Sequence, residues 1–218
     1  MRVTSSARVA EAVYELHLNE TTAESTERRL RRTENDRQVS AEWCFHPLAR
    51  QQLRLGRPQH LILILDPTWQ EDRVVMVSAA VWYRGRALPL VWTLWPANSP
   101  LQGPGFWQRI CELLERVAGL LPVGVGVTWL ADRAFGTPAF TDLVAAHGWH
   151  YVVRLQGQTH YRDFCGREQT VSALVPQRGD RRKLCGQLFK KAGWRTASVV
   201  AYWGRRHDKP LCLASDLP

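Results

Sequence analysis

LILILDPTW, residues 61–69, drives five consecutive aliphatic side chains into an aspartate. The run is too short for a typical helix and rich in branched residues, so it reads as a strand buried on both faces. A carboxylate at the rim of a core must be solvated, paired or holding a cation. VTWLAD, residues 127–132, uses the same device, an apolar strand delivering an acid at its C-terminal end. Asp66 and Asp132 are therefore the residues on which a functional reading turns.

The surrounding pattern places these two strands in a larger order. RVVMVSAAVWYRG and RALPLVWTLWP read as two strands joined by a tight turn at Arg84 and Gly85. GPGFWQRICELLERVAGLLP reads as a helix with the apolar stripe Phe106, Ile110, Leu113, Leu114 and Val117, closed by Gly119 and Pro122. TPAFTDLVAAHG predicts a second helix with Thr137 as N-cap and Pro138 in its first turn, and WHYVVRL a further strand. The order is β-β-β-α-β-α-β, an α/β fold whose opening hairpin is followed by βαβ units over residues 59–155. Residues 1–58 read as a polar, basic helical region, and residues 156–218 as short antiparallel β segments without helices.

In an open α/β sheet, ligands collect beyond the carboxyl ends of the strands. If the LILILD and VTWLAD strands are neighbours, their carboxylates converge and repel unless a cation neutralises them. Oxygen-only ligation suits Mg²⁺ or Mn²⁺. Two such ions about 3.5–4 Å apart can activate a nucleophile and stabilise the leaving oxygen in phosphodiester cleavage. The plainer alternative is an aspartate that caps a turn, for which Asp66-Pro67 is itself a signal.

Composition bounds the partners. The 218 residues carry a net charge of +9, and 45% of them are hydrophobic. The charge is uneven: residues 151–218 hold 13 basic and 5 acidic side chains, whereas residues 61–150 hold 6 and 7. A basic surface beside a slightly acidic centre suits a polyanion held against a metal site. No apolar run is long enough to span a bilayer, and MRVTSSARVAEAV lacks the apolar core of a secretory signal, which implies no membrane and a cytoplasmic setting. The five cysteines are scattered with no CxxC pair, and the seven histidines form no i, i+4 pair, which argues against zinc.

LILILDPTW, VWYRGRALPLVW, TWLADRAFGTPAF and LCLASDLP together resemble the DDE transposases of bacterial insertion sequences, in the insertion-sequence-4-like group. The resemblance covers most of the chain and is most specific at DRAFG around Asp132. It implies a ribonuclease-H-like mixed sheet with a β-rich insertion at residues 156–218, preceded by a basic helical segment. It implies Asp66 and Asp132 as the first two catalytic, metal-holding acids, two Mg²⁺ or Mn²⁺ ions, double-stranded DNA as partner, a nucleoid-associated location, and self-association on DNA ends in full-length relatives. The family's third acid, a glutamate on a helix after the insertion, has no match in this sequence. Glu168 and Asp216 are rejected as substitutes, so the expectation is a chain cut short and impaired in catalysis.

Candidate DNA contacts are Arg28, Arg29, Arg31 and Arg32 in the N-terminal region, Arg133 beside Asp132, and Arg181, Arg182, Lys183, Lys190, Lys191, Arg205 and Arg206 in the C-terminal third. Phosphate contacts need only positive charge in register, and the alternative for each is ordinary surface solubility or, for Arg133, pairing with a neighbouring carboxylate. Trp69 reads as a packed aromatic before a base-stacking one. His147 and His150 are expected at a helix end and on the following strand.

Overall fold

The computed structural model describes residues 25, 28, 32, 45–70, 73–98 and 104–218. The chain divides into two compact units, Met1–Ala49 and Arg50–Pro218. Most of the first, including Arg29 and Arg31, lies outside the described residues; Arg28 and Arg32 are helical and exposed. Helix α1 spans His46–Gly56 and precedes the sheet.

Among the described residues, the second unit is a mixed α/β fold around a ten-stranded sheet of order β3-β2-β1-β4-β5-β10-β9-β8-β6-β7. In chain order the strands are β1 (His60–Gln70), β2 (Val74–Tyr83), β3 (Arg86–Pro96), β4 (Gly126–Ala131), β5 (His150–Arg154), β6 (His160–Arg162), β7 (Glu168–Thr170), β8 (Arg181–Leu188), β9 (Arg195–Tyr202) and β10 (Leu211–Ser215). Helices α2 (Pro104–Ala118) and α3 (Pro138–Ala146) connect β3 to β4 and β4 to β5. The two crossovers make β1, β4 and β5 parallel, while β2 and β3 run antiparallel to their neighbours. The predicted β-β-β-α-β-α-β order is present. Among the described residues, no helix is long and apolar enough to cross a membrane.

Each feature follows from local chemistry. Arg84 and Gly85 both take positive φ, 49° and 79°, the geometry of a two-residue turn whose twist matches its strands. A register shift at Ala79/Ala80 absorbs an extra residue in β3 beside Pro89, which lacks the donor a regular ladder needs. One face of the sheet is buried: Leu63, Leu65, Val77, Ala79, Val91, Trp129 and Val153 lie beneath Ile110, Leu113, Leu114 and Val117 of α2 and Phe140 and Val144 of α3. The expected stripe of α2 is thus its buried face, except that Phe106 is only half-buried.

Four expectations need correction. LILIL is not buried on both faces: Leu61, Leu63 and Leu65 are, whereas Ile62 and Ile64 are only partly covered because both helices pack on the other face. Asp66 does not end its strand either. β1 continues to Gln70 on β2, while its pairing with β4 stops at Leu65. Asp66-Pro67 is therefore strand and no turn, and Pro67 sits where β1 has become an edge on the β4 side. Thr137 occupies the N-cap of α3, but its side chain makes no capping bond and its buried hydroxyl has no partner among the described residues. In the C-terminal third, EQTVSALV is a three-residue strand followed by a 3₁₀ turn, Val171–Leu174, and a second such turn, Lys190–Ala192, follows β8.

The sheet crosses residue 156 without a break, because β10 returns to pair with both β5 and β9. Asp216 bolts that return in place. Its carboxylate accepts the Tyr151 backbone N–H at 2.9 Å and lies 2.8 Å from Nδ1 of His150.

Candidate functional site

Register builds the site. β1 and β4 pair through Leu65↔Ala131, and β4 and β5 through Ala131↔Val153. The next position on each strand is charged: Asp66, Asp132 and Arg154. Neighbouring strands lie about 4.8 Å apart, and residues at matching positions point to the same face. The two aspartates therefore each follow the last paired position of two adjacent parallel strands, at their carboxyl end and on the sheet face away from α2 and α3.

Asp132 is held from below by β4 and from above by the turn that follows it. Phe135 N–H donates to the Asp132 carbonyl at 2.9 Å, and the Phe135 ring is fully buried among Phe106, Trp107 and Phe140, with centroids 5.4–6.4 Å apart. Gly136 completes the clamp. A Cβ at that position would fall on the carbonyl oxygen of Arg154, so the DRAFG loop lies directly against the end of β5. The DRAFG loop thus combines an acid, an anchor ring and a residue without a side chain.

The two carboxylates differ in their partners. Asp66 is exposed and takes no hydrogen bond or ion pair from the described residues. Asp132 Oδ1 lies 3.6 Å from Nη1 of Arg154, with the two side chains 45% and 46% exposed. A pair this open contributes about 1 kcal/mol or less. Arg133 is exposed and joins no ion pair among the described residues, so the expected partner of the neighbouring carboxylate is replaced by Arg154. Arg154 went unnoticed in the sequence, although WHYVVRL repeats the pattern of LILILD and VTWLAD with a cation near its end.

Two adjacent, accessible carboxylates offer a hard oxygen set that fits one Mg²⁺ or Mn²⁺, an ion that keeps waters on its other positions. Among the described residues no group of three or more acidic, histidine or cysteine side chains is gathered, so a second ion finds no further carboxylate here. Glu168 and Asp216 do not supply one. Glu168 is paired with Lys190 at 2.5 Å, which holds its carboxyl below the usual range, and Asp216 sits at the start of β5, at the opposite end of the sheet.

The C-terminal cations divide by position. Lys183 on β8 is in register with Val200, Val200 with Leu213, and Leu213 with Arg154, so Lys183 belongs to the same row and face as the aspartates. Arg181 is on that face too, two residues nearer the carboxyl edge, while Arg182 is in register with buried Ala201 and faces the other way. Arg205 and Arg206 are exposed on the loop between β9 and β10, which opens at that edge. Lys190 and Lys191 lie at the far end of β8, away from the acids, and Lys190 is engaged by Glu168. Trp69 is not packed: it is 62% exposed, three residues past Asp66 on the opposite face of β1. His147 and His150 are where expected, at the C-cap of α3 and the first position of β5.

No protein-family model and no curated protein matches the chain. Among solved structures, human endonuclease V is similar at 16% identity and a TM-score of 0.36, over 76% of this chain and 73% of that one. The catalytic domain of human endonuclease V is similar at 14% identity and 0.35, over 86% and 78%. Endonuclease V of Ciona intestinalis, in complex with a 24mer DNA containing an inosine followed by a ribo-adenosine, is similar at 12% identity and 0.35, over 83% of each chain. At TM-scores of this size, function is argued from the chain's own residues.

Proposed function

We propose that this chain is a DNA-processing domain of ribonuclease-H-like type that performs divalent-metal-dependent phosphodiester chemistry in the manner of a DDE transposase. The observation that carries the reading is the placement of Asp66 and Asp132 on adjacent parallel strands, at the sheet edge where β1 parts from β4. The flanking order β3-β2-β1-β4-β5 and the DRAFG loop support it. A bound Mg²⁺ or Mn²⁺ supplies Lewis-acid stabilisation at the scissile phosphate. Asp66 and Asp132 hold that ion, and Lys183, Arg181, Arg205 and Arg206 hold backbone phosphates leading to it. The two carboxylates among the described residues would hold one such ion.

The test is Mn²⁺-dependent nicking and joining of duplex DNA by the chain and by Asp66→Ala. Slow cleavage that the substitution abolishes supports the reading. Joining of a free 3′-OH to a second duplex identifies a transposase, and cleavage alone identifies a ribonuclease-H-like nuclease. Salt-sensitive DNA binding that ignores both Mn²⁺ and Asp66→Asn overturns the catalytic reading in favour of a DNA-binding module.

A further inference from the structure

We propose that Arg154 is a resident countercharge that competes with the divalent cation for Asp132 and, once displaced, becomes a contact for the DNA backbone. The inference rests on the metal reading above and adds an order of events to it. Asp66, Asp132 and Arg154 occupy consecutive strands at one register level, with the guanidinium at the end of the row toward β10. Arg154 reaches only one of the carboxylates, through one nitrogen at 3.6 Å, and both partners are about half exposed. An open, single-contact pair of this kind exchanges readily.

The backbone beneath it does not share that freedom. The Arg154 carbonyl is packed against Gly136, and the next residue, Leu155, donates its N–H to the Cys212 carbonyl at 2.8 Å. Rearrangement is therefore confined to the side chain. Charge sets the sequence. The two carboxylates and one guanidinium together carry one negative charge, which attracts a cation and repels a phosphate. A divalent ion reverses the sign, and the freed guanidinium then faces along the row toward Lys183. That lysine is three strands away, roughly 14 Å, with uncharged Leu213 and Val200 between. A phosphodiester chain crossing the sheet edge meets the ion, Arg154 and Lys183 in that order. Metal and DNA binding are then positively coupled.

Mn²⁺ binding, followed by the electron paramagnetic resonance signal of the free ion, and DNA affinity at fixed ionic strength with and without Mn²⁺ test this in the wild-type chain, Arg154→Gln, Arg154→Lys and Asp66→Asn. Arg154→Gln is expected to bind Mn²⁺ about two- to five-fold more tightly and to lose most of the Mn²⁺-dependent gain in DNA affinity. Arg154→Lys keeps both wild-type properties, which separates loss of charge from loss of fold. Mn²⁺ binding that Asp66→Asn removes but Arg154→Gln leaves unchanged or weaker overturns the role of Arg154 alone. Binding gained only in Arg154→Gln supports it, and no binding in any of the four proteins overturns both this role and the metal reading.

Discussion

Asp132 and Arg154 meet at 3.6 Å across neighbouring parallel strands, while Asp66, one strand to the other side, has no partner among the described residues. Charge at this edge is left uncompensated on the Asp66 side, and that asymmetry separates the two acids experimentally. Asp66→Asn removes like-charge repulsion and is expected to leave the melting temperature unchanged or slightly higher, while abolishing Mn²⁺-dependent cleavage. Asp132→Asn loses an open ion pair and is expected to cost about 1 kcal/mol or less, with the same loss of cleavage. Thermal melts and a nicking assay on each variant check both halves.

Gly136→Ala is expected to destabilise the fold by about 1–3 kcal/mol, because the added methyl meets the backbone of Arg154, which cannot swing aside. Urea unfolding measures the loss. Metal affinity is expected to fall in the same variant, since the turn that holds Asp132 must shift.

Phe135→Ala is expected to cost about 3–5 kcal/mol, the range for truncating a fully buried aromatic ring. The variant checks whether the loop after β4 is anchored by its ring, and denaturant titration distinguishes this from a small surface effect.

Cations at the two ends of β8 are expected to behave differently toward DNA. Lys183→Ala weakens binding and lowers the salt slope by about 0.9 if that lysine meets one phosphate. Lys190→Ala leaves both unchanged, because that ammonium is engaged by Glu168 at the far end of the strand. Binding isotherms at several salt concentrations report the difference.

Burial, reinforced by Asp216 and Asp142, pushes the Tyr151 phenol up to about 12. The folded state keeps this proton more firmly than the unfolded chain, so the stabilisation is complete below pH 10 and is lost as pH rises toward 12. The loss is on the order of 2 kcal/mol. Tyr151→Phe is expected to flatten the decline of stability between pH 10 and 12, measured by urea titration across that window.

The strands and helices around the site were legible in the sequence because their patterns are local. Apolar runs, the Arg84-Gly85 turn and the stripe of α2 each specify an element without reference to the rest of the chain. Asp66 and Asp132 were legible for the same reason, as charges placed against apolar strands. Arg154 was not, since a basic residue after VV reads as ordinary solubility until register sets it beside Asp132. The division of β8 into a near and a far end was equally hidden: five lysines and arginines close in sequence separate only when an antiparallel strand carries them to opposite edges. Pro67 misled in the other direction, because a turn signal yields to a long antiparallel partner such as β2.

β10 follows β6–β9 in the chain yet lies between β5 and β9 in the sheet. Before β10 is synthesised, β5 is an open edge on that side. That edge stays available for mispairing until the residues of β10 leave the ribosome. β10 has to enter between β5 and β9 as an insertion rather than an addition, a long-range pairing whose loop-closure cost slows folding.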